Sequence, residues 1–286
     1  MEVDLVEALT GDGFILDGLF SKPLDGHKAS SSIDAFLLVH GTYGDFYTAG
    51  LIRLAKYLKE SGFPVASFNT RAHDVISRCR KVDSSDIHGT AFENLSDCVQ
   101  DLDATIAWLT AKGYNNIALL GVSMGAVKVI YYQSIIHNEH VKAVIAVSPV
   151  RLSRSFYMAS EAASYYEIYH KQATLMTQIG KPESLINIAE EVVPGQGIFS
   201  AEAYLDKYGS EKYNIVNYAY KIKDPILLMS GTLETHPRLI ACTKDTYDTF
   251  TKDNIGELMI VNGGDHSLQN IGDHLPNLIL DWISRI

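Results

Sequence analysis

The stretch Ile117-Ala118-Leu119-Leu120-Gly121-Val122-Ser123-Met124-Gly125-Ala126 constrains this chain more than any other. An apolar run ends abruptly in Gly-x-Ser-x-Gly, and a helical pattern through Val127, Ile130 and Tyr131 starts at once. A buried strand turning sharply into a helix is the context of a nucleophile elbow, where strained backbone holds a serine hydroxyl proud of a sheet. Gly121 and Gly125 carry no Cβ, so strand and helix can pack closely around Ser123. The motif alone is short and arises by chance, so its flanks and downstream partners carry the weight.

The surrounding sequence repeats a strand-then-helix beat. Val3, Leu5, Phe14 and Leu16 alternate on either side of Gly11-Asp12-Gly13, which predicts a hairpin over residues 3–20. Residues 22–32 are polar and read as a surface loop. Ala35 to Val39 is a continuous apolar run, as expected of a strand covered on both faces, and it leads into His40-Gly41-Thr42-Tyr43-Gly44. Helical spacing from Leu51 to Leu58 precedes a strand at Phe63 to Phe68, which runs into Asn69-Thr70-Arg71-Ala72-His73-Asp74. Thr90-Ala91-Phe92-Glu93 reads as a capping box ahead of a long amphipathic helix through Leu95, Cys98, Val99, Leu102, Ile106 and Leu109, closed by Gly113. Further strands are expected at Ala143 to Ser148, Pro225 to Ser230 and Leu258 to Val261, with a closing helix from Leu275 to Ile283. Strands alternating with helices predict an α/β fold with a mostly parallel central sheet.

The beat stops at Pro149. Residues 150–222 are polar and Tyr-rich, with helical patches broken at Gly180, Pro182, Pro194 and Gly197. This predicts a helical cap inserted into a single domain spanning residues 1–286. Phe156, Tyr157, Met158, Tyr165, Tyr166, Tyr169, Met176 and Tyr204 are equally compatible with a pocket lining and with the cap's own core.

Composition excludes several classes. The 286 residues carry a net charge of −10, which repels phosphate backbones and argues against nucleic acid. The basic run Arg78-Cys79-Arg80-Lys81 reads as a solvated loop face. Cys79, Cys98 and Cys242 are odd in number and widely spaced, as in a reducing compartment with no disulfide framework. The start of the chain has no apolar leader and no run reaches membrane-span length, so the expectation is a cytoplasmic protein without a membrane span. His137 and His140 are too few ligands for zinc.

Taken in order, His40-Gly41, the Gly-x-Ser-x-Gly at Ser123, Glu234 after the Pro225 strand and His266 in Asn262-Gly263-Gly264-Asp265-His266 resemble an α/β-hydrolase along essentially the whole chain. The resemblance implies an esterase- or thioesterase-like serine hydrolase. Ser123 would be the nucleophile, His266 the base, and Glu234 the orienting acid where the family more often has Asp. Asp265 is the rival acid. The resemblance places the oxyanion donors on the backbone of Met124 and Thr42, with Tyr43 as the alternative. His40 would order that loop, and Arg71 and His73 would be loop buttresses or substrate contacts. No cofactor or metal is implied. The expected substrate is a partly apolar small-molecule ester or thioester. Amide, lactone and carbon–carbon bond cleavage with the same residues stay open, as does a non-catalytic ligand-binding protein on this scaffold.

Overall fold

A computed structural model of the chain describes residues 2–23, 29, 31–193 and 197–286. Most of the expected loop at 22–32 and the expected break at Pro194 lie outside the described residues.

The N-terminal hairpin is β1 (Asp4–Leu9) and β2 (Phe14–Ser21), antiparallel as the turn signal predicts. Then come β3 (Ala35–Val39), α1 (Ala49–Glu60), β4 (Val65–Phe68), β5 (Ser77–Lys81), β6 (Ser85–His88) and α2 (Cys98–Ala111). The elbow unit is β7 (Ile117–Val122) and α3 (Met124–Ile136), followed by β8 (Val141–Val147). Between β8 and the next sheet strand lie α4 (Arg154–Ala159), α5 (Ala163–Gln178), β9 (Leu185–Ile188), β10 (Gly197–Ser200) and α6 (Ala201–Tyr208). The sheet resumes with β11 (Ile226–Gly231); α7 (Pro237–Ile240), α8 (Cys242–Tyr247), β12 (Gly256–Val261) and α9 (His274–Ile283) complete the chain.

Among the described residues ten strands form one sheet, in the order β12-β11-β8-β7-β3-β4-β2-β5-β6 with β1 added beside β2. The run from β4 through β12 is parallel, and the β1, β2, β5 and β6 edge is antiparallel. Side chains alternate faces along each strand. Leu37, Leu119, Val144 and Leu228 pack into one core with Leu102 and Ile106 of α2 and Val127 and Ile130 of α3. Phe36, Leu38, Leu120, Ile145 and Leu227 pack into a second core with Leu51 and Leu58 of α1 and Ile279 and Trp282 of α9. Each fully buried Leu or Ile contributes roughly 1.5–3 kcal/mol, so the middle strands anchor the molecule. The loops carrying Ser123, Glu234 and His266 leave the carboxyl ends of these strands, where open α/β sheets bind ligands.

Two expectations are corrected, and two are filled in. Thr90–Phe92 is a short 3₁₀ turn, Glu93 after it is extended, and the long helix begins only at Cys98, so Thr90 to Glu93 is no capping box. Glu93 is buried and bonds two lysines instead: Lys128 Nζ at 2.7 Å and Lys207 Nζ at 2.8 Å. Arg78 to Lys81 belongs to strand β5, paired between β2 and the edge strand β6, with Arg80 bonded to Glu7 and Asp17 and Lys81 to Asp86. The segment after β8 is helical but also carries the antiparallel pair β9–β10. Its aromatics mostly face each other: Tyr157 stacks on Tyr166 with centroids 5.3 Å apart, and Tyr204 lies 5.2 Å from Tyr208. They form that segment's own core. Cys79, Cys98 and Cys242 are buried free thiols.

Candidate active site

Ser123 sits between β7 and α3 at φ 57° and ψ −119°, backbone that an L-residue holds only under constraint. The constraint is close packing. A Cβ at Gly121 would lie 2.2 Å from the Gly125 carbonyl oxygen, and one at Gly125 would lie 2.3 Å from that of Val39. Both positions therefore exclude any side chain. The Ser123 N–H donates to Val147 O at 2.8 Å, which fastens the turn to the neighbouring strand.

His266 follows β12, and its Nε2 lies 3.0 Å from Ser123 Oγ. Two unusual residues hold the ring there. Ser267 and Leu268 adopt φ of 69° and 56°, so the chain curls immediately after the histidine. The Ser267 N–H donates to the Ser148 hydroxyl at 3.0 Å, and Leu268 is fully buried. Ser148, at φ 51° just beyond β8, is thus a positioning residue that no sequence signal marked.

Glu234 leaves β11 in the loop beside the histidine loop. A Cβ at Gly231 would lie 2.0 Å from Gly264 O, so the two backbones touch. Leu233 N–H donates to Gly264 O at 2.9 Å, and Gly263 N–H donates to Thr232 Oγ1 at 2.8 Å. This bracing sets Glu234 Oε1 3.5 Å from His266 Nδ1, with the carboxylate only 1% exposed. Neither Glu234 oxygen nor His266 Nδ1 has a hydrogen bond among the described residues. They are aimed at each other slightly beyond bonding distance, which is common in unliganded active sites. Asp265 instead accepts from Asn270 N at 3.3 Å and lies outside this line.

Residues 34–172 match the family model of the alpha/beta hydrolase fold. The chain has an α/β-hydrolase fold. Among solved structures it is similar to the alpha/beta hydrolase GrgF from Penicillium sp. sh18, at 17% identity and a TM-score of 0.71, covering 100% of this chain and 99% of that one. It is also similar to the Pyrococcus furiosus esterase Pf2001 (19% identity, TM-score 0.66, 99% of this chain and 91% of that one). A Paleococcus ferrophilus monoacylglycerol lipase shares 17% identity at a TM-score of 0.63, over 99% of this chain and 98% of that one. No curated protein matches the chain in sequence.

In this α/β-hydrolase fold the loop after β3 lies against the nucleophile: a Cβ on Gly41 would come within 3.0 Å of Ser123 Cβ. His40 is buried beneath it. Thr70 N–H donates to His40 Nε2 at 3.0 Å, which puts the ring proton on Nδ1, 2.9 Å from Gly41 O. Burial, together with nearby Lys128, pulls this imidazole down to about 3, so it is neutral and purely positional. The Tyr43 N–H donates to Thr90 Oγ1 at 3.1 Å, and Thr42 borders the same cavities as Ser123.

Arg71 and His73 are not brought to Ser123. Arg71 bonds Asp101 at 2.8 Å and Asp12 at 2.7 Å, and His73 Nδ1 bonds Asp74 at 2.8 Å. Both buttress loops. Behind the elbow, Lys128 of α3 also donates to Thr70 Oγ1 at 3.1 Å, linking the His40 loop to Glu93 and to Lys207 of α6. Burial pushes the Glu93 carboxyl up, but Lys128 and Lys207 outweigh it and hold it down at about 2.

Two cavities meet at Thr42, Ser123 and His266. One of about 200 Å³ runs toward Leu51, Leu54, Leu275 and Pro276. The other, of about 550 Å³, is lined by Tyr43, Val150, Glu190, Val193, Arg238 and Leu239. None of the eight aromatics and methionines for which lining and core were equally open borders either cavity. No group of three or more His, Cys, Asp or Glu among the described residues could hold a metal, and His137 simply ends α3. No helix among them is long and apolar enough to cross a membrane.

Proposed function

We propose that the protein is a serine hydrolase that cleaves a carboxylic ester or thioester through an acyl-enzyme on Ser123. The observation that carries this is the 3.0 Å contact between Ser123 Oγ and His266 Nε2, with the buried Glu234 carboxylate behind the same ring. His266 takes the serine proton as Oγ attacks the carbonyl, because an unassisted hydroxyl is a feeble nucleophile at neutral pH. Glu234 holds the ring's tautomer and stabilises the imidazolium. The N–H groups of Thr42 and Met124 receive the charge that develops on the carbonyl oxygen. His266 then returns the proton to the leaving group and activates the water that releases the acid. Residues 150–222 act as a cap, a reading supported by Val150, Glu190 and Val193 bordering the same cavity as Ser123. The esterase and lipase names among the structures sharing this fold favour esters over amides. The test is fluorophosphonate labelling of wild type and Ser123→Ala, with a p-nitrophenyl ester series from acetate to decanoate. Labelling and turnover by wild type alone are expected. A wild-type protein that does not label overturns the reading.

A further inference from the structure

Among the described residues, the buried cations are neutralised with one exception. Arg71 has Asp101 and Asp12; Lys128 and Lys207 share Glu93; Arg151 has Asp245. Arg238 is 3% exposed and forms no ion pair among the described residues. Its Nη1 donates to Tyr208 OH at 3.3 Å, and its guanidinium lies 5.7 Å from the Tyr208 ring centre. Its Nε is buried without a hydrogen-bond partner. Its other neighbours supply no counter-charge: burial pushes the Cys242 thiol up to about 11 and raises the Tyr157 hydroxyl further still. A buried guanidinium without a carboxylate is destabilising, and proteins keep one where a ligand completes it.

Arg238 lines the larger cavity, together with Ser123 and His266. Its position is fixed by backbone: its own N–H donates to His236 Nδ1 at 3.3 Å, so His236 Nε2 carries the proton and donates to Glu191 O at 3.2 Å. The acid loop and the 150–222 segment thus clamp it between them. Glu190 borders the same cavity but is exposed and forms no ion pair among the described residues, so water screens it.

We propose that Arg238 is the anion-recognition residue of this site, and that the substrate is an ester or thioester bearing a carboxylate on the arm that occupies the larger cavity. This rests on the serine hydrolase reading above. A guanidinium fork matches a carboxylate in a bidentate way. A phosphate dianion carries two negative charges, and one arginine matches only one of them.

The test uses phosphonate probes that label Ser123 and differ only in the tail: a carboxylate, its methyl ester, or a phosphate. Wild type should react about 10- to 100-fold faster with the carboxylate tail than with the methyl ester, the range for a hydrogen bond to a charged group. In Arg238→Met, and in Arg238→Gln should that variant fold better, the ratio should fall to about one. A merely structural arginine would not move that ratio. Equal wild-type rates, or a preference that survives in both variants, overturns the proposal while leaving the hydrolase reading intact. A stronger preference for the phosphate tail also overturns it. Labelling by no probe overturns both readings together.

Discussion

The two sides of Ser123 treat charge in opposite ways. Behind the elbow every buried charge is closed upon: His40 is neutral, Glu93 is shared by Lys128 and Lys207, and Arg71 is held by two aspartates. In front, Glu234 and His266 stand at 3.5 Å with unbonded atoms, and Arg238 has no carboxylate. The rear is a finished structure. The front carries unsatisfied groups, which under the proposed function a substrate or a transition state completes, a trade of stability for function.

Substitutions can break that contrast. The largest effect is expected from Glu234→Gln, which should lower kcat/KM by about 10³- to 10⁴-fold by losing the tautomer and the imidazolium stabilisation. Its melting temperature should hold or rise, since a poorly satisfied buried carboxylate is removed; a large fall would show that the front is structural after all. Glu93→Gln should do the reverse. It leaves two buried ammonium groups facing an amide and should destabilise the fold by about 3–5 kcal/mol, measured by urea unfolding. A near-neutral result would mean that the lysines escape to water.

Acid unfolding sharpens the comparison further. His40 is pulled from 6.5 to about 3, so below pH 6.5 the unfolded chain binds a proton that the folded one refuses, and stability is lost as pH falls. Glu93 is lowered from 4.5 to about 2, so its contribution is present above pH 4.5 and is lost only below it. The two windows overlap below pH 4.5, but only that of His40 extends above it. His40→Gln should flatten the stability profile between pH 6.5 and 4.5 and leave the steeper limb below pH 4.5, read from melting temperatures across that range. The smallest effect is on the front: Arg238→Met should raise stability by on the order of 1 kcal/mol, because an uncompensated charge leaves the interior.

Much of this was legible in the sequence because it is local. The apolar run into Gly121-Val122-Ser123-Met124-Gly125 dictates strand, turn and helix by sterics alone, and β3, β4, β8, β11 and β12 announce themselves as short apolar runs. Ser123, Glu234 and His266 could be ordered along the chain because each directly follows a strand. What escaped depends on partners far away in sequence. Glu93 has the spacing of a cap, but Lys128 and Lys207 draw it inward. Strand β5 buries only Cys79 and turns its charged residues outward, so it resembled a loop. The Tyr residues of 150–222 could pack on themselves or face a pocket, and only tertiary contacts decide which. Ser148 and Arg238 carry no motif at all.

The touching backbones of Gly231 and Gly264 have a consequence for the acid's length. The two loops are already at van der Waals limit, so neither can advance to make up a deficit. An aspartate at 234 would lose one methylene, about 1.5 Å of reach, from a carboxylate that already stands 3.5 Å from its histidine. The longer acid is therefore a measure of the gap: the spacing of two glycines selects glutamate, and the choice between the two acids is made in the backbone.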